Sequence, residues 1–259
     1  MRQDTTDDAF AGWLAAAERR YLADLTRAEV GRALRALGSC YLHRRGQLPQ
    51  GRALDGRGKR AAFALYYGPL HFLVVRAIAE GLGEPDAAAT TRPGHRPPRP
   101  IVDVGCGTGA AGAAWALQTG AEVHGFDVNA WAVGEAAWTY RTLGVRGTAW
   151  RDRVASWQLP RQPSLVLAAF VVNELPAADR DGLLTRLVEA ARLGHRVVVI
   201  EPIARTVTPW WRRWEQALAP SGGASRQWRV RTDLPALLRD LDRAAGRRHE
   251  ELTARTLST

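Results

Sequence analysis

The stretch that decides the fold is residues 101–112, which read IVDVGCGTGAAG. A short apolar run carries one acid, Asp103, and a glycine-rich turn and an alanine-rich helical pattern follow at once. This order predicts a strand, a tight turn and a helix, the opening unit of a nucleotide-binding α/β sheet. Gly105 and Gly107 permit backbone conformations that a Cβ would forbid, and Gly109 lets the helix pack tightly on the strand.

A second acid follows at a spacing typical of ribose recognition. The apolar run 123–126 ends at Asp127, which lies 22 residues after Gly105. A carboxylate at the tip of the second strand can accept hydrogen bonds from both ribose hydroxyls, in NAD sites as in S-adenosylmethionine (SAM) sites. The spacing from Gly105 to Ala110 also satisfies the loose dinucleotide pattern. The residues alone therefore leave NAD open, as well as a plain βα turn with a solvated acid.

The form Asp-x-Gly-x-Gly-x-Gly, with Asp103 inside the strand, resembles motif I of the class I SAM methyltransferases. The resemblance implies that Asp103 lies near the methionine moiety and that the glycine turn passes under the cofactor. Within that turn, Cys106 is interpreted as a small residue that the backbone tolerates. SAM is then the expected cofactor, and its candidate ligands are Asp103, Gly105, Cys106, Gly107, Gly109, Asp127, Val128, Asp152 and Phe170, with Asp152 near the adenine.

From Ile101 onward the pattern alternates strand and helix, which predicts a parallel sheet covered on both faces. We expect an α/β fold, a doubly wound Rossmann-like methyltransferase sheet, over residues 101–259. Strands are predicted at 101–104, 121–126, 145–150, 165–171, 197–200 and 251–257. Helices are predicted at 109–119, 129–143, 179–193 and about 233–245, and residues 221–225 are predicted to form a flexible loop.

The first 85 residues predict only helices. These are 7–25, a second helix capped by Thr26, 60–67 and a last one from about 70 to 81, with a break at Gly68-Pro69. We expect this region to pack on the sheet as a lid over the cofactor cleft. Residues 86–100 contain four prolines and no apolar periodicity, which predicts a stiff linker.

The fourth strand delivers the segment FVVNELP, residues 170–176, to the edge of the sheet where ligands bind. Asn173 is a candidate for orienting an amine through its amide oxygen, and Glu174 is a candidate base. The alternative is structural, with Asn173 shaping the turn and Glu174 favouring the start of the next helix. Neither cysteine lies near this tip in sequence, which disfavours cytosine C5 methylation by a covalent thiol.

The segments 169–176, 179–180 and 197–202 are similar to the small-ribosomal-subunit methyltransferase-like assembly factors of mitochondria and bacteria. That resemblance covers roughly residues 100–205 and implies RNA or the ribosomal small subunit as substrate or partner. Members carry a cysteine cluster for a metal or iron–sulfur centre. This chain has only Cys40 and Cys106, so we expect no metal.

Composition favours a polyanionic partner. The formal net charge is +10, and Lys59 is the only lysine among 36 basic residues. The acidic start, residues 1–8, does not resemble a basic, then apolar, leader, and no apolar run is judged long enough to cross a bilayer. We therefore expect a cytoplasmic protein that makes no membrane contact.

Residues 209–214, PWWRRW, interleave aromatic rings with arginine. They could stack on bases, but an amphipathic helix that buries its tryptophans on the sheet is the favoured interpretation. The function expected from the sequence is SAM-dependent methylation of rRNA or the small subunit. Methylation of a small molecule under the helical lid and a non-catalytic SAM-binding assembly factor remain the alternatives.

Overall fold

The apolar runs after residue 100 form one seven-stranded sheet in the order β3-β2-β1-β4-β5-β7-β6. The first five strands are parallel, β7 runs antiparallel to β5, and β6 runs antiparallel to β7. The strands are β1 (Ile101–Val104), β2 (Val123–Asp127), β3 (Gly147–Arg151), β4 (Leu165–Ala169), β5 (Arg196–Glu201), β6 (Ala224–Arg231) and β7 (Glu251–Ser258). This is the doubly wound Rossmann-like architecture that the sequence predicts.

The computed structural model describes residues 2–43, 54–83 and 98–259. Residues 86–97 of the predicted linker lie outside the described residues. The α-helices within the described ranges are α1 (Arg2–Leu22), α2 (Arg27–His43), α3 (Arg57–Ala62), α4 (Gly68–Leu82), α5 (Ala110–Thr119), α6 (Ala130–Thr142), α7 (Ala177–Arg192), α8 (Trp211–Leu218) and α9 (Ala236–Ala244).

Two cores lie on opposite faces of the sheet, because alternate residues of each strand point to opposite sides. Ile101 and Val198 belong to the core that holds α1, α2, α4, α5, α6 and α9. Val102 and Val199 belong to the other core, with α7 and α8. The N-terminal helices therefore cover the same face as α5, the helix that follows the glycine turn.

The predicted break at Gly68-Pro69 is wrong. A π-helical turn, Phe63–Tyr67, joins α3 to α4, and the Gly68 N–H donates to the Phe63 carbonyl. The wider turn accommodates a proline ring that lacks an N–H, so the helix continues. This 57–82 helix is long and apolar enough to span a membrane by length and composition, contrary to the sequence expectation. Because 72% of that window is buried, it is the core helix of this face.

Two further predictions, one of a loop and one of a strand, also need correction. Residues 221–225 are not a flexible loop, because β6 begins at Ala224 and pairs with β7 over eight residues. As an edge strand, β6 exposes most of its polar side chains and so shows no apolar alternation. The strand predicted over 165–171 ends at Ala169, since Phe170 adopts a φ of 59°. The tryptophans of residues 209–214 are buried on the sheet, as favoured.

The turn between β1 and α5 requires glycine at its first position. Gly105 has a φ of 67°, and a Cβ there would lie 2.3 Å from Val171 Cγ2. Residues other than glycine rarely adopt a positive φ of this kind. In addition, the space that a Cβ would need is already occupied by the Val171 side chain. The turn and the segment that follows β4 therefore fit together only through the missing side chain of Gly105.

The Gly105→Ala substitution should lower the free energy of unfolding by at least about 2 kcal/mol, through backbone strain and overpacking. Gly134→Ala is the matched control, because this exposed glycine of α6 has no atom within 4 Å of its added Cβ. It should stabilise the protein by about 0.5–1 kcal/mol through helix propensity. Chemical denaturation of both variants measures the difference, and equal stabilities would refute this account of the turn.

Candidate active site

The acid of β1 lies beneath the glycine turn. Asp103 is 1% exposed, and its Oδ2 accepts a hydrogen bond from the Gly112 N–H at 3.0 Å. Burial raises the pKa of this carboxyl to about 7. The carboxyl therefore ties β1 to the first turns of α5 and supports the turn from behind.

The acid at the tip of β2 faces the turn directly. Asp127 Oδ2 accepts from the Gly107 N–H at 3.0 Å, and Oδ1 accepts from the Asn129 N–H at 2.8 Å. Burial raises the pKa of this carboxyl from its ordinary value. A carboxylate held by backbone donors at a strand tip has the placement expected of a ribose ligand.

These elements border a cavity of about 390 Å³, which is within the size range of ligand pockets, about 300–1,000 Å³. Six of the predicted cofactor residues line it, namely Gly105, Cys106, Gly107, Asp127, Val128 and Phe170. Asn173 and Glu174, the two predicted catalytic residues, line the same cavity. Burial raises the pKa of the Cys106 thiol well above its ordinary value, so Cys106 contributes small size and not a thiolate.

Three predicted cofactor residues do not line this cavity. Asp103 lies behind the turn, and Gly109 precedes α5 and packs against Tyr140 of α6. The Asp152 carboxylate accepts from the Arg153 N–H at 2.7 Å and from the Ser156 hydroxyl, and these hydrogen bonds lower its pKa. Asp152 is joined to the site through its own N–H, which donates to the Asp127 carbonyl at 3.1 Å.

The segment after β4 is held by a buried acid of β5. Glu201 accepts from the Val172 N–H at 2.8 Å and from Asn173 Nδ2 at 2.6 Å. The Asn173 oxygen accepts from Trp210 Nε1 at 3.0 Å. Both ends of the amide are therefore engaged within the protein, which favours the structural interpretation of Asn173. Burial raises the pKa of Glu201 to about 8.

Phe170 lines the cavity from the end of β4 and contacts the N-terminal helices. It is the non-glycine residue with positive φ in the described part of the chain, and its ring stacks on His71 at 4.1 Å between centroids. His71 comes from α4, and Phe63 and Tyr67 of the π-helical turn line the cavity beside it. The N-terminal helices thus form the roof.

Sequence reasoning missed several residues of this site. The signal for His71 was its place as the polar residue in the apolar run 70–75, which reads LHFLVV. Glu201 lies in the segment 197–202 that carries the resemblance to the assembly factors, but nothing in the sequence assigned it to the site. Arg247, which lines the cavity from the loop after α9, carries no local motif.

The comparisons with known proteins agree with this geometry. Residues 101–194 match the model of a family described as a methyltransferase domain. No curated protein gave a significant match to the chain.

Solved structures with a similar fold include magnesium protoporphyrin IX methyltransferase from Synechocystis PCC 6803 with bound SAH. It is 18% identical, covers 73% of this chain and 82% of that one, and has a TM-score of 0.47. A candidate RNA methyltransferase from Pyrococcus horikoshii is 17% identical, over 79% of this chain and 85% of that one, with a TM-score of 0.45. Geranyl diphosphate methyltransferase is 12% identical, over 71% of this chain and 75% of that one, with a TM-score of 0.44.

The seven-stranded sheet, the glycine turn and the family match define the class of this protein. It is a class I SAM-dependent methyltransferase, and SAM is its cofactor. The residues present fit that cofactor, because the backbone of the turn and the Asp127 carboxylate border one cavity of adequate size. Asp127 would hold the ribose, and Gly105 and Gly107 would lie under the bound molecule.

The Asp127→Ala substitution should weaken SAM binding about 10- to 100-fold, because charge-assisted hydrogen bonds of about 1.5–3 kcal/mol are lost. Isothermal titration calorimetry measures the affinity. The control is Asp233→Ala, which removes a carboxylate that is 95% exposed and pairs with Arg239. An unchanged affinity in Asp127→Ala would contradict the ribose role.

The stability of the protein should carry a pH-dependent contribution from Glu201. Its carboxyl has a pKa of about 8 in the folded protein, against an ordinary value of about 4.3 in the unfolded chain. Between roughly pH 5 and 8 the folded state holds a proton that the unfolded state has lost, so this contribution falls as pH rises.

Glu201→Gln removes that titration while keeping the size of the side chain. The free energy of unfolding of the wild type minus that of the variant should therefore decrease from about pH 5 to 8. Denaturant titrations at several pH values give this difference, in which other titrating groups cancel. A difference that stays constant over the window would show that Glu201 titrates normally.

Proposed function

We propose that this methyltransferase acts on RNA, with the ribosomal small subunit as the context. The observation that carries the proposal is a set of three arginines, Arg35, Arg60 and Arg247, here called the arginine rim. Arg247 lines the cavity, and the other two belong to or bond to segments that contribute lining residues, Gly38 and Leu54. Guanidinium groups bind phosphate with charge-assisted, often bidentate, hydrogen bonds. A cationic rim around a ligand cavity suits a nucleotide whose base enters while its phosphates stay outside.

Each arginine of the rim is fixed to an element that borders the cavity. Arg247 itself lines the cavity, with its guanidinium carbon 6.0 Å from the centroid of the Tyr67 ring. Arg60 Nε donates to the Leu54 carbonyl at 3.1 Å, and its guanidinium carbon lies 5.7 Å from the Trp131 ring. Arg60 is thus joined to Leu54, which lines the cavity, and Arg247 lines it directly.

Arg35 completes the rim from α2. It donates to the carbonyl of Ala244 at the end of α9, and Gly38, one turn further along α2, lines the cavity. The rim thus draws on three separate parts of the chain.

The arginine rim differs from the arginines around it in its partners. Arg27, Arg57 and Arg243 each form an ion pair with a carboxylate. None of the ion pairs among residues 2–43, 54–83 and 98–259 involves Arg35, Arg60 or Arg247. The rim therefore carries positive charge that the described carboxylates do not neutralise, in keeping with the net charge of +10.

Bound SAM supplies a methyl group that its sulfonium already activates. The protein then has to hold the acceptor in line with that group and to exclude water. The roof of N-terminal helices and the ordered segment after β4 serve these two purposes.

A small-molecule acceptor is the second candidate. It is favoured by the enclosure of the cavity, since Phe63, Tyr67 and His71 cover it from the side of the N-terminal helices. A SAM-binding assembly factor without transfer activity is the third, and it rests on the resemblance to small-subunit assembly factors.

The test measures transfer of labelled methyl groups from SAM into a lysate of the source organism, separated into RNA, protein and small molecules. We expect label in RNA, concentrated in small ribosomal subunits. The Arg60→Ala, Arg247→Ala double variant should reduce this label at least about tenfold. It should also reduce the salt dependence of RNA binding. The slope of log K against log salt concentration should become shallower by about 0.7 for each phosphate contact that is lost on a single strand.

Arg213→Ala is the control, because this exposed arginine of α8 pairs with Asp181 on the opposite face of the sheet. It should behave as the wild type. Label confined to small molecules would replace the RNA proposal with the second candidate. Bound SAM with no transfer to any fraction would favour the assembly factor.

A further inference from the structure

We infer that the cavity contains an acceptor subsite for a planar ring that bears an N–H group, with His71 accepting a hydrogen bond from that N–H. The ring would lie between an aromatic wall, formed by Phe63, Tyr67, His71 and Phe170, and the segment that carries Glu174. The inference rests on the methyl-transfer activity proposed above, and it adds the chemical class of the group that is methylated.

The aromatic wall combines two distant parts of the chain. His71 stacks on Phe170 with centroids 4.1 Å apart and ring planes 14° from parallel. Phe63 meets the His71 ring edge-on at 6.2 Å, and Tyr67 lies 6.4 Å away. All four rings line the cavity, so a flat acceptor would find continuous aromatic surface on that side.

The Phe170 end of the wall is held by the backbone. With a φ of 59°, Phe170 occupies a conformation that side chains rarely adopt, and its N–H donates to the Ile200 carbonyl at 2.8 Å. Such a conformation persists only where the surroundings enforce it. The stacking partner of His71 is therefore built into the end of β4.

His71 has the properties of a hydrogen-bond acceptor inside the wall. Neither ring nitrogen bonds to another of the described residues, although the side chain lines the cavity. Burial lowers the pKa of the imidazole to about 4, so the ring is neutral near pH 7 and one nitrogen keeps its lone pair. A neutral ring also avoids repulsion with a cationic sulfonium.

The same cavity also has polar lining residues on an ordered segment. Glu174 lines it from the 3₁₀ turn Val172–Glu174, and Asn173 is fixed by Glu201 and Trp210. An apolar wall facing a small number of placed polar groups is the usual composition of a specific ligand pocket. The subsite can therefore orient one edge of a flat ring.

The chemistry balances with the groups present. The nitrogen of the substrate ring attacks the methyl group of SAM with its lone pair and forms the new N–C bond. The S–C bond breaks at the same time, and its electron pair stays on the sulfur. The proton lost by the nitrogen passes to His71 and from there to solvent. A ring-conjugated amine becomes strongly acidic when it is methylated, so a weak base suffices.

The test compares His71→Phe with His71→Gln. The first keeps a flat ring against Phe170 without a nitrogen, and the second keeps a hydrogen-bond acceptor without the ring. Labelled SAM is supplied with small-subunit RNA in one arm and with a small-molecule extract in the other, which distinguishes the two sources of a planar N–H acceptor. Calorimetry with SAM and thermal unfolding check that each variant binds the cofactor and folds.

We expect His71→Phe to bind SAM as the wild type does and to lose about 100-fold or more in kcat, with a smaller change in KM. His71→Gln should retain more of kcat than His71→Phe and show the larger rise in KM. His124→Phe is the control, since this partly exposed histidine of β2 lies outside the cavity. It should leave transfer unchanged.

Two results would overturn the inference while methyl transfer stands. One is a kcat of His71→Phe equal to that of the wild type. The other is label on ribose or on a carbon of the acceptor, found after digestion to nucleosides or by mass spectrometry of the small molecule. Absence of label from the wild type in both arms would overturn methyl transfer itself, and the subsite with it.

Discussion

The buried carboxyl group of Glu201 is the constraint on which the part of the cavity beside β4 depends. It sits at the end of β5, fully shielded from solvent, and accepts hydrogen bonds from the segment that follows β4. Burying a carboxyl group is costly unless donors replace the lost water. The same donors that satisfy Glu201 therefore order Val172 and Asn173, and Trp210 then fixes the remaining end of the Asn173 amide.

The two halves of the site are built by different means. The cofactor half is local in sequence, because one βαβ unit supplies the turn, its supporting acid and the Asp127 carboxylate. The acceptor half is assembled from the roof helix, the end of β4 and the loop after α9.

This division explains how much the sequence predicts. The glycine turn, Asp127 and most of the strands follow from local patterns, and the structure contains them where expected. His71 and Arg247 reach the cavity only through tertiary packing, and no local spacing encodes that. The predicted break at Gly68-Pro69 failed because a π-helical turn, which has no sequence signature of its own, accommodates the proline. The strand β6 was missed because an edge strand needs no apolar face.

Asn173 shows where a motif can mislead. Its place after strand four suggests contact with a substrate, yet its amide bonds to Glu201 and Trp210. Asn173 lines the cavity, and its amide hydrogen bonds agree with the structural alternative that the sequence left open. His71 also lines the cavity, and neither of its ring nitrogens bonds to another of the described residues.

The helix over residues 57–82, which carries the aromatic residues of the roof, is continuous. At 1.5 Å per residue, its 26 residues give the helix a length of about 39 Å. Arg196 of β5 holds the C-terminal end of this helix by donating hydrogen bonds to the carbonyls of Leu82 and Gly83. The C-terminal end of the helix that carries Phe63 and Tyr67 is thus fixed to the sheet through Arg196. Two aromatic rings of the cavity therefore belong to a helix whose end is held by hydrogen bonds made outside the cavity.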